Sequence, residues 1–261
     1  MSLFSFISTR WQEYNFLFEE LVKRDLKKRY KRTILGIFWS LLGPLLQLLV
    51  MYLVFTQFFG RTTPHFIVYV FSGLLIFNCF SVSTNAGMLS LIMNAGIISK
   101  TNAPKYLFLF SSNISNLINF GLSLVIFFIF VAADGIPFHF RFLLLIYPVV
   151  CLLIFNIGVG LILSALYLFF RDMQYLYGIF TMLLMWLSAI FYPVDIFSLN
   201  VQRLFTLNPI FTFIHYFRLV IIHGTVPSLN LHLIAGFHAS IVLVIGCWMY
   251  RKYNYRFVYY M

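Results

Sequence analysis

Charge is what this sequence has least of. Only 10% of its 261 residues are Asp, Glu, Lys or Arg, against 62% hydrophobic, and acids are the scarcest, seven beside eighteen Lys and Arg. A soluble domain is about a quarter charged. This chain has too little polar surface to cover a water-exposed fold, which leaves a bilayer-embedded protein. A G-x-x-x-x-G-K-[ST] phosphate loop is missing, so this chain is not expected to hydrolyse ATP. Missing too are a Ser/His/Asp set and a carboxylate pair facing a common cavity, so no enzyme reaction is expected. Cysteine is rare: Cys79, Cys151 and Cys247 lie in apolar runs without metal-type spacing. They read as small packing residues, and no metal is expected. No cleavable signal peptide is visible, because the first 22 residues lack a continuous apolar core and a small-residue cleavage site. The net charge of +11 raises nucleic acid as a partner. The cations cluster beside apolar segments, as membrane orientation requires, and this argues against nucleic acid.

The long uncharged runs are what remains. A spanning helix needs about 20 apolar residues. The runs Thr33–Gly60, Thr62–Ser99, Tyr106–Ala133, Phe142–Phe170, Met173–Val194 and Leu219–Tyr250 predict an all-α membrane protein. Its six spans fall near 34–58, 66–89, 107–132, 142–169, 173–192 and 230–250. Leu204–Phe217 is too short to cross, contains Asn208-Pro209 and is bracketed by Arg203 and Arg218. It reads as a re-entrant outer element between spans five and six. With six crossings both termini share one side, and that side holds fourteen Lys and Arg against four. The asymmetry predicts cytoplasmic termini. The expected organisation is a single transmembrane domain over 1–261, with an interfacial helix (1–32), a six-span bundle (33–250) and a cytoplasmic tail (251–261).

Seven cations fall between Lys23 and Arg32, and the next charged residue is Arg61. On a helical wheel Trp11, Tyr14, Phe18, Leu21 and Val22 share a face opposite Glu13, Glu20, Lys23, Lys27 and Lys31, which suits an amphipathic helix lying in the membrane interface. Asp25 and Arg29 intrude on the apolar face as an i,i+4 pair, acid first. They form either a surface ion pair or a contact with another subunit.

The span interiors contain no Asp, Glu, Lys or Arg, and only His238 is placed deep. A proton- or sodium-driven carrier usually keeps an ionisable group in the membrane, so energy for transport would come from another polypeptide. Docking surface for it would lie on the N-terminal helix, the loop 94–106 and the turn at Arg171-Asp172. In the third span Ser112, Asn113, Ser115, Asn116, Asn119 and Ser123 form one polar stripe, either helix–helix glue or the lining of a wet path. Asn156, Gly158, Gly160 and Ser164 in the fourth span read as a close-packing face. Aromatics make up 20% of the chain. Interfacial belts and packing account for many. Inward-facing rings would suit sugars, whose apolar faces stack on them.

Four stretches resemble, in order, one family. RDLKKRYKRTILGIFWSLLGPLLQLL (24–49), with Leu35-Gly36, Trp39-Ser40 and Pro44, is similar to the start of permease subunits of type-2 ABC transporters that export polysaccharide: O-antigen, teichoic acid or capsule. NAGIISKTNAPKYLFLFSSNISNLINF (94–120) resembles the loop and third span of that family, FFRDMQYLYGIFTMLLMWLSAIFYPVDIF (169–197) its fifth span, and LNPIFTFIHYFRLVIIHG (207–224) its re-entrant element. The resemblance implies a bacterial inner-membrane homodimer working with two ATP-binding-cassette ATPase subunits. ATP and Mg would be held by those partners, and this chain would carry no cofactor. The cargo would be a polyprenyl-pyrophosphate-linked glycan among membrane lipids. Residues implied for the lipid phosphate are Arg24, Lys27, Lys28, Arg29, Lys31 and Arg32, whose charges suit a pyrophosphate. Those implied for ATPase coupling are Asp25, Lys100, Lys105, Arg171 and Asp172. Those implied for a glycan path are Trp39, Tyr52, Tyr69, Asn113, Asn116, Tyr177 and Tyr192. Export of another lipid or a drug, and a scaffold role in glycan synthesis, are the alternatives.

Overall fold

The computed structural model describes residues 3–31, 38–55, 64–101 and 103–260. Regular structure among them is helical throughout: α1 (Leu3–Tyr30), α2 (Phe38–Phe55), α3 (Phe66–Met93), α4 (Ala95–Ile98), α5 (Tyr106–Ala133), α6 (Ile146–Phe169), α7 (Met173–Leu187), α8 (Leu199–Phe205), α9 (Pro209–Ile221), α10 (Leu229–Tyr253) and α11 (Phe257–Tyr260). Among the described residues four helices are long and apolar enough to cross a membrane: α3, α5, α10, and α6 extended backward by a 3₁₀ turn to Phe140. They coincide with four of the expected spans. The segments expected at 34–58 and 173–192 contain shorter helices, of 18 and 15 residues, and 34–37 and 56–58 lie outside the described residues. At 1.5 Å per residue α7 covers about 22 Å, less than the ~30 Å hydrocarbon core. Helices α8 and α9 meet at 102°, which places a sharp bend where the short apolar element was expected.

Glycine decides how the long helices approach. A Cβ on Gly158 of α6 would stand 2.6 Å from the backbone nitrogen of Leu243 on α10, and one on Gly246 would meet the Gly158 carbonyl oxygen at 2.7 Å. Two residues along α6, the Cα of Gly160 lies 3.0 Å from where a Cβ on Gly87 of α3 would sit. Helix α6 therefore carries backbone-to-backbone contacts on two sides, as the Gly158/Gly160 spacing predicts. Asn156 and Ser164 are also buried.

Local signals fix the helix ends. Asn208 caps α9: its Oδ1 accepts from the Ile210 (2.9 Å) and Phe211 (3.4 Å) backbone, with Pro209 following as the first helical residue. Ser228 caps α10 by accepting from the Leu231 nitrogen. His65, left-handed at φ 54°, precedes α3, and its Nδ1 lies 2.7 Å from Asp134 Oδ2 at the end of α5.

Two apolar clusters organise the bundle. The larger joins α3, α5, α6 and α9 around rings such as Phe71, which meets Phe127 and Phe130 edge-to-face at 5.5 Å. The smaller gathers Leu21 of α1, Ile98, Phe108 and Leu168 with Tyr250 and Phe257. It brings α1 and the C-terminal segment to one end of the bundle, here the terminal end.

Candidate functional site

At the terminal end, Arg24 and Lys28 of α1 line a cavity of about 190 Å³ with Ser90 and Asn94 of the α3 end and Ser112 of α5. Asp25 lines it too. Arg24 donates to Asp25 Oδ1 from Nε (3.0 Å) and Nη2 (2.7 Å), so the half-buried acid is engaged by its own neighbour. Arg24 and Asp25 share a side of α1 with Leu21, which is buried, while Lys27, Lys28 and Lys31 are exposed. The structure thus groups Asp25 with the phosphate candidates rather than with the turn at Arg171. Arg32 and the side chain of Arg29 lie outside the described residues, which also leaves the expected Asp25–Arg29 pair there.

The C-terminal segment joins two of the coupling candidates. Lys105, at the start of α5, donates to the Asn254 carbonyl oxygen at 2.6 Å and to Asn254 Oδ1 at 3.1 Å. Arg171 donates to the Tyr260 carbonyl oxygen at 3.4 Å and lies over the Tyr167 ring. Phe257, fully buried between these contacts, anchors the segment against Phe169 and Tyr250. Lys100 and Asp172 are exposed in the turns after α4 and before α7.

The path candidates divide. Asn113 is 1% exposed and Asn116 6%, so both are buried within the bundle. Their stripe bonds back onto its own helix: Asn113 Nδ2 donates to the Leu109 carbonyl, and Ser115 Oγ to Ser111. Ser115 also reaches the Val22 carbonyl of α1 at 3.4 Å. Polar side chains bonded to their own helix this way can be buried against a neighbour, although Asn113 Oδ1 has no hydrogen-bond partner among the described residues. Tyr177 is likewise buried, its hydroxyl bonded to Thr84. Tyr52, at 37% exposure, edges a shallow apolar groove between α2 and α3. The Trp39 side chain lies outside the described residues.

Tyr69 and Tyr192 belong to a different constellation, at the other end of α3. Its centre is Arg218 of α9, only 4% exposed. The guanidinium donates to three main-chain carbonyls: Ala189 from Nη1 (2.9 Å), Ile190 from Nη2 (3.0 Å) and Tyr69 from Nη2 (3.1 Å) and Nε (3.3 Å). Its carbon sits 3.4 Å from the Tyr69 ring centroid. The Tyr69 hydroxyl in turn donates to the Tyr192 carbonyl at 2.9 Å. Among the described residues no acid pairs with Arg218. Backbone dipoles and a ring face hold the charge instead.

Arg218 also explains why α7 stops at Leu187. Ala189 is left-handed at φ 49°, and Ser188, Ala189, Ile190 and Phe191 are fully buried in non-helical backbone. Unwound carbonyls in an apolar interior need donors. Arg218 supplies Ala189 and Ile190, while Tyr69 supplies Tyr192. Asn208 Nδ2 supplies Leu187 at 3.1 Å. Gly73 makes room, since a Cβ there would stand 3.1 Å from Arg218 Nη2. Sequence reasoning treated Arg218 as the flank of an apolar run. The available signal was a single cation inside a helix that continues to Ile221.

Comparison with known proteins gives this architecture a family. Residues 17–222 match the model described as "ABC-2 type transporter". The chain is 29% identical over 252 residues to the "O-antigen export system permease protein RfbA" of Klebsiella pneumoniae, covering 94% of this chain and 96% of that protein. It is 29% identical over 222 residues to the Myxococcus xanthus protein of the same name, covering 83% and 84%. It is 25% identical over 237 residues to the "Polysialic acid transport protein KpsM" of Escherichia coli, covering 89% and 92%. With the matched region taking in α3 through α9 and reaching into α1, the chain belongs to the ABC-2 type transporter family of membrane permeases.

Proposed function

We propose that this chain is the membrane-spanning subunit of an ATP-driven exporter of lipid-linked polysaccharide. The observation that carries the reading is the near end-to-end match to relatives named as O-antigen export permeases. In this reading α2 and α7 complete a six-crossing bundle, with the buried, donor-satisfied backbone after Leu187 finishing the fifth crossing. Helix α1 lies in the interface through its Leu21 side, α8 and α9 form the re-entrant element, and both termini are cytoplasmic in the inner membrane. Two copies work with two ATPase subunits that bind ATP and Mg. The cargo is a glycan on polyprenyl pyrophosphate.

The cavity at Arg24 and Lys28 supports a phosphate role for those two residues. Lys27, Arg29, Lys31 and Arg32 would supply attraction along α1, since forked and point-charge cations suit a pyrophosphate. Lys100, Lys105, Arg171 and Asp172 would meet the ATPase. Trp39, Tyr52 and Tyr192 would border the glycan. The test is reconstitution with the partner ATPase in vesicles. A polyprenyl-pyrophosphate glycan is expected to stimulate ATP hydrolysis and to reach the opposite face. Movement that persists with a catalytically inactive ATPase, or equal stimulation by a drug-like amphiphile, would overturn the reading.

A further inference from the structure

A further hollow shares only Lys105 with the candidate residues considered above. It has a volume of about 690 Å³ and lies between the loop that follows α4 and the last turns of α10. Its floor is apolar, formed by Ile98, Phe110, Leu161 and Tyr250, and its rim carries Lys105 and Arg251. Among the described residues no carboxylate lines it. The size falls within the ~300–1,000 Å³ range of small-molecule sites.

Charge and position together select an occupant. Phe110 and Leu161 lie within long apolar helices, whereas Lys105 and Arg251 stand at the helix ends where α5 begins and α10 finishes. The hollow therefore crosses from apolar wall to cationic rim, as a membrane lipid does from chain to headgroup. Lys105 gives hydrogen bonds to both oxygens of Asn254 and lies 5.8 Å from the Phe257 ring centroid, and its ammonium carries three N–H donors in all. Arg251 is exposed and has a full guanidinium fork to offer. Burial without a carboxylate lowers the Lys105 pKa from its ordinary value, a cost that a bound anion would relieve.

We propose that this hollow binds an anionic phospholipid of the surrounding bilayer, its phosphodiester bridging Lys105 and Arg251 and an acyl chain lying over Phe110 and Leu161. Basic pockets between membrane helices take anionic headgroups for this reason. The lipid would tie the start of α5 to the end of α10, beside the loop offered above to the ATPase. The inference stands whatever cargo the protein moves.

Cys247 lines the same hollow and is exposed, whereas Cys79 is only partly exposed and Cys151 is buried. Its reaction with a maleimide therefore reports occupancy in the unmodified full-length protein. Phosphatidylglycerol added to phosphatidylcholine nanodiscs is expected to slow labelling about tenfold at ten times its dissociation constant. Phosphatidylcholine alone and inorganic phosphate should not. K105Q/R251Q should label at the unprotected rate at every phosphatidylglycerol level. Equal protection by both lipids would overturn the proposal, as would phosphatidylglycerol protection that survives in the double variant. Protection only by the ATPase partner, in the absence of anionic lipid, would assign the hollow to protein docking and overturn it too. Should the double variant fail to fold, the lipid comparison in the native chain decides alone.

Discussion

Arg218 and the cations of α1 carry the same kind of charge at opposite ends of α3. Tyr69, under Arg218, and Ser90, beside Arg24, are about 30 Å apart along that helix. At one end a single guanidinium is buried, and its charge is spread over three carbonyls and a ring face. At the other, lysines stand in the open with half-buried Arg24 and Asp25 between them and the bundle. Burial decides what each cation is worth. Removing a donor from a dry interior strands the acceptors it served, whereas an exposed cation interacts through water and is screened by salt. Arg218 is thus bound into the architecture. On α1, Lys27, Lys28 and Lys31 stay exposed.

The sharpest way to break this contrast is Arg218→Met. Stranding three buried carbonyls should lower unfolding free energy by about 3–6 kcal/mol, read by denaturant or thermal unfolding in detergent. Arg218→Lys keeps the charge but loses the planar fork, so it should recover only part of that loss. A native-like Arg218→Met would show that the carbonyls have other donors. Gly158→Ala comes next. With a backbone atom 2.6 Å from the new methyl, α10 must shift, at a cost of roughly 1–3 kcal/mol. Gly87→Ala, against a looser 3.0 Å approach, should cost less in the same assay.

At the terminal end the effects on folding should nearly vanish. Replacing Lys27, Lys28, Lys31 and Arg32 with Gln should leave unfolding within roughly 0.5 kcal/mol per site. The same variant should respond more weakly to a lipid-linked pyrophosphate in ATPase assays, with the difference from native shrinking as salt rises. A response unaltered in both respects would leave these residues an orientation role only. Smallest in stability is Arg171→Gln, which gives up an exposed 3.4 Å hydrogen bond and a contact with the Tyr167 ring, together worth about 1 kcal/mol. It should nonetheless lower transport per ATP hydrolysed. Unchanged coupling would remove Arg171 from the ATPase face.

Much of this was legible in the sequence for identifiable reasons. Four helices announce themselves because a lipid-spanning segment must be long and uncharged. The Gly158 and Gly160 contacts follow from small residues inside such a helix, and the Asn208-Pro209 start of α9 from capping chemistry. Other features gave no such signal. Ser188 to Phe191 is apolar and reads as a continuing span; only the φ of Ala189 and the carbonyls turned onto Arg218 show that the helix has ended. Asn113 shares a stripe with Asn119 and Ser123 under either a packing or a path reading, and only the fold shows that it is buried within the bundle.

Composition and spacing alone fixed an all-helical membrane chain without a phosphate-loop motif, because apolar run length and that motif are local properties of the sequence. Which cations are buried inside the protein and which stay exposed was settled only by tertiary structure. Solvation of a charge depends on what the fold places around it, and Arg218 finds its carbonyls at positions 69, 189 and 190, far from it along the chain.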